Sequence, residues 1–467
     1  MDYNLIFRRQ HPEYRRSRAV WQRSQDACRG GAEYIQQALV QHVSEIDLEF
    51  LERRNRAYYF NYPRKIARII TEYLLAQSPE RINADPVMTA DFTGGGLRVN
   101  DLMRQFSTTL NIYGSAWVLV EMPAFTGPVN LWRKTNEKLR PYAVVLSPLA
   151  VPDWSYNADG SLEWVLVEEN IFDNSNVFAE PVTRRRRRLW TPEKWQLFEE
   201  DHGEVKLIDE GTHELNTVPL IHAVSADGST PETGHWFEDV VRISDAILNN
   251  ESEAQMNIIK QMFGLLVISE NFARGTRPAL QKNSGDQSKF SHILARSAAI
   301  WESSEESGIS RYISPTGVAT NTIRQENQNL KAELFDVIGL TVIRETREIQ
   351  SAESKAWDHQ QICQFLCSRV DLLEQTELAV WQLMNLYDST VTVPQIAYNR
   401  DFAITDLKDS IAGLLELNNF DLGRNFRQEV ARTAVTLLDR CRKIPAERQE
   451  AIYREISNAQ PGEETQK

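Results

Sequence analysis

Cysteine is scarce in this sequence, at four in 467 residues, too few and too scattered to form a disulfide framework. That points to a chain made and used in a reducing cytoplasm. Long apolar runs are missing as well. The longest, residues 262–268, falls far short of the roughly 18 that suggest a membrane span, so no membrane partner is expected. The N-terminus, MDYNLIFRRQHPEYRRSR, has no apolar signal-peptide core, which argues against secretion by that route. Common enzyme signatures are also absent. No Gly-Lys dipeptide occurs, so there is no phosphate loop of the G-x-x-x-x-G-K-[ST] type, and G-x-S-x-G, H-E-x-x-H and G-x-G-x-x-G are not found. Neither ATP hydrolysis nor any other enzyme activity is expected, and no cofactor is assigned.

What the chain does have is an ordinary globular composition, 42% hydrophobic and 25% charged. The length suits two or three domains. Net charge is −13, from 52 basic and 65 acidic side chains. Tight binding of nucleic acid over the whole surface is thereby excluded, because such affinity comes from neutralising phosphates. An acidic protein can still handle DNA that must slide.

The pattern along the chain predicts a mainly helical α+β protein. Asn61-Tyr62-Pro63 precedes Ile66, Ile69, Ile70, Tyr73 and Leu74 at helical spacing. A second helix is expected from Asp101, as its cap, to Tyr113, ending at Gly114. Residues 116–120 then form a buried strand, and residues 93–96 a turn. From 140 to 225 the pattern is β-rich: strands over 142–146, 162–168 and 195–198, a turn over 157–160, and Val218-Pro219-Leu220-Ile221 closing the region. A long helix runs from Trp236 to about residue 266, with Val240, Ile243, Ile247, Ala254, Ile258, Met262 and Leu265 on the helical period, about 45 Å of it. Residues 267–317 lose that period and contain a short strand near 298–301. A second long helix carries Ile323, Leu330, Leu334 and Ile338, and a third carries Ile362 to Met384. Residues 391–393 and 395–398 suggest a strand pair, followed by a helical C-terminal end with a break at Ile444-Pro445 and a disordered tail. No internal repeat occurs.

Two clusters carry chemistry that needs weighing. His359, Cys363 and Cys367 fall at i, i+4 and i+8 on one helix face and could offer three soft metal ligands. No C-x-x-C pair accompanies them, and Ile362 and Leu366 beside them favour small buried hydrophobes instead. No metal is assigned. Residues 184–188 are five consecutive arginines. They suit either a phosphate contact or an exposed strand or loop whose charges meet acidic neighbours such as Glu199, Glu200 and Asp201. The second is favoured.

The order of elements resembles the tailed-bacteriophage portal proteins. Local patterns carry the resemblance in sequence order. They are His11-Pro12-x-Tyr14 leading to Trp21 and Asp26, Tyr58-Tyr59-x-Asn61, Trp154 ahead of Asp159-Gly160, and Val218-Pro219 before the long helices. Ser351-Ala352-Glu353-Ser354 and Tyr398-x-x-Asp401-Phe402 complete them. The resemblance implies a ring of twelve copies, a homo-oligomer set at the portal vertex of a virion capsid after assembly in the host cytoplasm. Carried over by position, the wing is residues 1–235 with 357–403, the stem is the helix pair 236–266 and 318–343, and the clip is 267–317. A tunnel loop falls at 344–356 and the crown at 404–467.

The partners so implied are double-stranded DNA in the channel, the terminase large subunit, the head–tail connector or adaptor, and the major capsid protein. Arg274, Arg277 and Lys282, cations in a turn-rich insert of an acidic chain, are the expected docking residues of the clip. Arg344, Arg347, Glu348 and Lys355 are the expected DNA-facing residues of the tunnel loop, mixed in sign so that contact stays transient. Twelve copies at −13 each would carry −156, and only charges within about 8 Å of the DNA would act on it at physiological salt. Two rivals remain: another phage structural or connector protein, and an enzyme with an unrecognised site.

Overall fold

A computed structural model describes residues 3–123, 139–175, 177–178, 180–201, 203–225, 235–262, 265–269, 299–302, 311–313, 317–336, 352–400, 402, 423–441 and 446–458. The N-terminal part is helical: α1 (Asn4–Arg8), α2 (Pro12–Arg29), α3 (Gly31–Ala38), α4 (Asp47–Arg56) and α5 (Tyr62–Leu74). A short β1 (Glu80–Ile82) and α6 (Pro86–Ala90) lead to α7 (Val99–Tyr113) and β2 (Ser115–Glu121). The β-rich stretch comprises β3 (Tyr142–Leu146), β4 (Asp153–Tyr156), β5 (Leu162–Asp173), β6 (Val182–Trp190), β7 (Lys194–Asp201), β8 (Glu204–Thr212) and β9 (Leu220–Val224). Next come α8 (Trp236–Met262), β10 (Leu265–Ser269), β11 (Ala299–Glu302), β12 (Arg311–Ile313) and α9 (Val318–Asp336). The chain ends with α10 (Ala352–Tyr387), β13 (Gln395–Ala397), α11 (Arg424–Cys441) and α12 (Ala446–Asn458).

Local chemistry accounts for the N-terminal elements. Asn61 caps α5 by accepting from the Arg64 amide at 2.9 Å, and Pro63 sits in the first turn, where a missing N–H costs nothing. Ile66, Ala67, Ile70, Thr71 and Leu74 then bury one face. α7 begins two residues before the predicted cap. Asp101 lies inside the first turn and reaches back to the Arg98 amide, the return half of a capping arrangement. Its other end is as expected: Gly114 takes φ +70° and stops the helix.

The main core joins the two ends of the chain. Ile66, Ile70, Phe106, Leu110 and Val118 from the N-terminal elements meet Val240 of α8, Leu334 of α9, and Val370, Val380 and Trp381 of α10. A three-stranded antiparallel sheet, β3-β2-β9, lies within it. A second core packs Tyr14, Trp21, Trp117, Trp154 and Trp190 between α2 and the five-stranded antiparallel meander β4-β5-β6-β7-β8.

Several expectations need correction. Residues 391–393 and 395–398 do not pair with each other. β13 pairs with β1, over 300 residues away, because Pro394 interrupts any local ladder and Val391 is buried in the main core. The long helix ends at Met262 rather than near 266, so α8 is about 40 Å long, and Leu265 opens β10 instead. The mixed sheet β11-β10-β12 follows. α10 starts at Ala352, inside the segment expected as a tunnel loop. Strands β4 and β8 were not among those predicted from the pattern, and residues 184–188, expected as an exposed strand or loop, lie on strand β6.

Candidate functional site

α8 and α9 form an antiparallel pair, as the order of their cross-links shows. Asn250 Nδ2 donates to Asn327 Oδ1 at 3.0 Å, Asn327 Nδ2 to Glu251 Oε1 at 2.9 Å, and Gln261 Nε2 to Thr320 Oγ1 at 3.4 Å. The half of α8 nearer its N-terminus is held by the N-terminal helices. Asp245 accepts from Arg23 and from the Tyr34 hydroxyl. Asn249 accepts from the Val40 amide and donates to the Ala38 carbonyl. Arg53, 2% exposed, donates to Ser252 Oγ at 2.9 Å and to the Val40 carbonyl at 2.6 Å while pairing with Glu45 at 2.8 Å. Burial, reinforced by Asp245, pushes the Tyr34 hydroxyl far above its ordinary range. The result is a helix held about its middle by the N-terminal helices and along its C-terminal half by α9. Directional polar contacts of this kind fix rotation about the helix axis, which apolar packing alone leaves loose.

The five arginines lie on β6, in the middle of the meander, and alternate between its faces. Arg184 pairs with Asp173 and Glu199, Arg186 with Glu199 at 2.6 Å, and Arg188 with Glu121 at 2.6 Å and Glu169 at 3.1 Å. On the other face Arg185 pairs with Glu200 at 2.6 Å, and Arg187, 3% exposed, holds Glu168 and the carbonyls of Ile6 and Arg9. Arg188 also stacks over Trp190 and Trp195. Six carboxylates thus meet five guanidiniums. The run welds β5, β6 and β7 together and ties α1 to the sheet, so the acidic-neighbour reading holds and no cation of the run is left bare for phosphate.

This architecture of a helix pair bracketing a small sheet, set on a helical and β-rich base, can be compared with known proteins. The family described as phage portal protein, SPP1 Gp6-like, matches residues 49–313, more than half of the chain. The chain belongs to that family. Among solved structures it is similar to the neck of an empty GTA particle computed with C6 symmetry, at TM-score 0.40 and 10% identity, covering 80% of this chain and 88% of that one. It is similar also to the neck of a native GTA particle computed with C12 symmetry, at TM-score 0.42 and 9% identity, covering 78% and 88%. No curated protein sequence matches the chain.

For this portal-family chain, the residues singled out by sequence fall unevenly. Arg274, Arg277, Lys282, Arg344, Arg347 and Glu348 lie outside the described residues. Lys355 lies in the first turn of α10, within the segment expected as the tunnel loop. Of the metal line, the half-buried Cys367 donates through Sγ to the Arg400 carbonyl at 3.7 Å, and no metal-competent cluster exists among the described residues.

One constellation went unnoticed in the sequence. Ser115 Oγ lies 2.9 Å from His222 Nε2, and the Tyr156 hydroxyl lies 2.7 Å from Nδ1. The imidazole stacks on Trp117 at 3.9 Å and 4°. Burial drives His222 down to about 3, so the ring is neutral and its two nitrogens are matched by two hydroxyls. A serine nucleophile needs a base oriented by a carboxylate, and here Nδ1 meets a tyrosine. The trio joins β2, β4 and β9. Its members are spread over 108 positions, a separation that no sequence motif spans.

Proposed function

We propose that the chain is one subunit of a portal ring of twelve copies at a single capsid vertex. Double-stranded DNA passes through that ring on packaging and ejection. The terminase motor docks on it during packaging, and the head–tail connector takes the motor's place afterwards. Residues 1–235 with 357–403 form the wing, α8 and α9 the stem, and residues 267–317 the clip. The short stretch before α10 is the tunnel loop, and residues 404–467 are the crown. On this reading Arg274, Arg277 and Lys282 dock the motor or connector, and Arg344, Arg347, Glu348 and Lys355 meet DNA.

The observation that carries the proposal is the clamped antiparallel pair α8/α9, which in a family of portal proteins suits a stem that must keep its rotation under load. An acidic chain around a polyanion would also repel it and limit sticking. Closed cyclic assembly needs two different contact faces per subunit, which an elongated helix pair on a broad base provides. Imaging of purified protein should show rings with a central hole, of mass about twelve times 53.7 kDa. A strictly monomeric mass across protein concentration and salt would overturn the proposal.

A further inference from the structure

The arginines of β6 are neutralised where they stand, and bare cations among the described residues lie elsewhere. Residues 1–74 hold thirteen Lys/Arg against nine Asp/Glu, net +4, so the remaining residues carry −17 to bring the whole to −13. Within that basic part, Arg23, Arg53 and Arg68 are ion-paired. Arg15, Arg18 and Arg29 of α2, and Arg64 and Lys65 of α5, are exposed, and their side chains make no hydrogen bond or ion pair among the described residues. At about 100° per residue, the three α2 arginines fall within about 60° of one another and span about 21 Å. Tyr14, Trp21, Ser24 and Ala27 bury the other side of that helix. The start of α5 abuts the end of α2, where Asn61 Nδ2 donates to the Cys28 carbonyl at 2.8 Å. This sets the start of α5, which carries Arg64 and Lys65, beside the end of α2, which carries Arg29, and Arg64 is close enough to oppose the burial that pushes the Cys28 thiol up to about 12.

The surroundings select the partner. Of the carboxylates on these two helices, Asp26 accepts from Gln22 and Glu72 pairs with Arg68. No large apolar side chain of α2 is exposed, whereas the centre of a protein–protein interface needs apolar or aromatic anchors. Guanidiniums spread at intervals along a polar helix face suit phosphates instead. The stripe on α2 covers about six base pairs of duplex, at 3.4 Å each.

We propose that the α2/α5 face binds the phosphate backbone of duplex DNA without base specificity. The portal reading supplies DNA as the polyanion at hand, and the inference rests on it to that extent. Five contacts at about −0.9 each make the logarithm of affinity fall with the logarithm of salt at a slope of about −4.5.

The test is fluorescence anisotropy of a labelled duplex of roughly 30 base pairs with full-length protein across a salt series, beside a variant carrying Arg15→Glu, Arg18→Glu and Arg64→Glu. The variant should bind at least about tenfold more weakly near 100 mM salt, with a slope shallower by about 3. Equal binding by the two proteins, or no binding by the parent, overturns the inference. So does a variant that loses its oligomer yet keeps DNA affinity, which would assign the face to an acidic surface of a second copy. If the charge reversals unfold the chain, the corresponding glutamine variant must show the same shallower slope. Rings without DNA binding would sink this inference and leave the portal reading intact. DNA binding lost in the variant of a strictly monomeric protein would do the reverse.

Discussion

Removing the carboxylate of Glu377 should destabilise the protein by about 3–5 kcal/mol, the usual cost of leaving a buried charge without its partner. Glu377 lies on α10 with its side chain fully buried, and Arg81 beside it on β1 is 8% exposed. The guanidinium binds both carboxylate oxygens, Nε at 2.5 Å and Nη2 at 2.9 Å. The Tyr398 hydroxyl and Trp381 Nε1 donate to the same carboxylate. Glu377→Ala strips all four donors at once and strands the cation under the β1–β13 ribbon, which joins positions more than 300 residues apart. Urea unfolding, with m checked for constancy, should report the loss.

A double-mutant cycle then separates pairing from packing. Arg81→Met with Glu377→Leu should recover the part of the loss that comes from the stranded cation, because a buried pair replaced by apolar groups of similar volume is often neutral, while the buried Tyr398 and Trp381 donors stay unmatched. The two single changes should therefore show a coupling of about 2 kcal/mol or more, towards the upper end for residues in contact. Additive costs in the double variant, or a single-variant loss under about 1 kcal/mol, the ordinary range of exposed pairs, would refute the reasoning.

Other expectations are more local. Gly114→Ala should cost more than about 1 kcal/mol, because the residue sits at φ +70° and the new Cβ would lie 2.6 Å from His235 Cδ2; an unchanged Tm would contradict the geometry. His222 and His235 are both pushed down by burial, from 6.5 to about 3. The unfolded chain thus binds protons that the folded one refuses, and stability present above 6.5 should fall as pH drops towards 3. A flat thermal-stability profile over that window would disprove it. A buried tyrosine acts at the other extreme. Tyr113 is raised by burial to about 12, so stability should decline as pH climbs from 10 towards 12, and its tyrosinate absorbance should lag unless the protein unfolds. Replacing Arg274, Arg277 and Lys282 by glutamate should impair packaging or tail joining with rings intact, whereas glutamine at Arg344, Arg347 and Lys355 should alter DNA retention; normal phage yield would remove either assignment.

The sequence by itself determined the elements whose signal is local. α5 was legible from a proline, a cap and one apolar stripe, the end of α7 from a glycine, and β2 and β3 from short apolar runs. The long helices were legible because a 3.6-residue period sustained over many turns has few competing explanations. Family resemblance followed from that order of elements, and the matching family bears it out.

Tertiary structure decided whatever depends on partners far away in the chain. Five arginines in a row carry no label for their counter-charges. Only strand pairing brought Glu168, Glu169, Asp173, Glu199 and Glu200 to them, and only packing between two sheets brought Glu121, turning an apparent phosphate site into a sheet weld. The same holds for β13, whose partner lies beyond α10, and for the Ser115–His222–Tyr156 contact. Which arginines remain bare for a partner is a difference between all cations and those already paired. That difference exists only once the chain has folded.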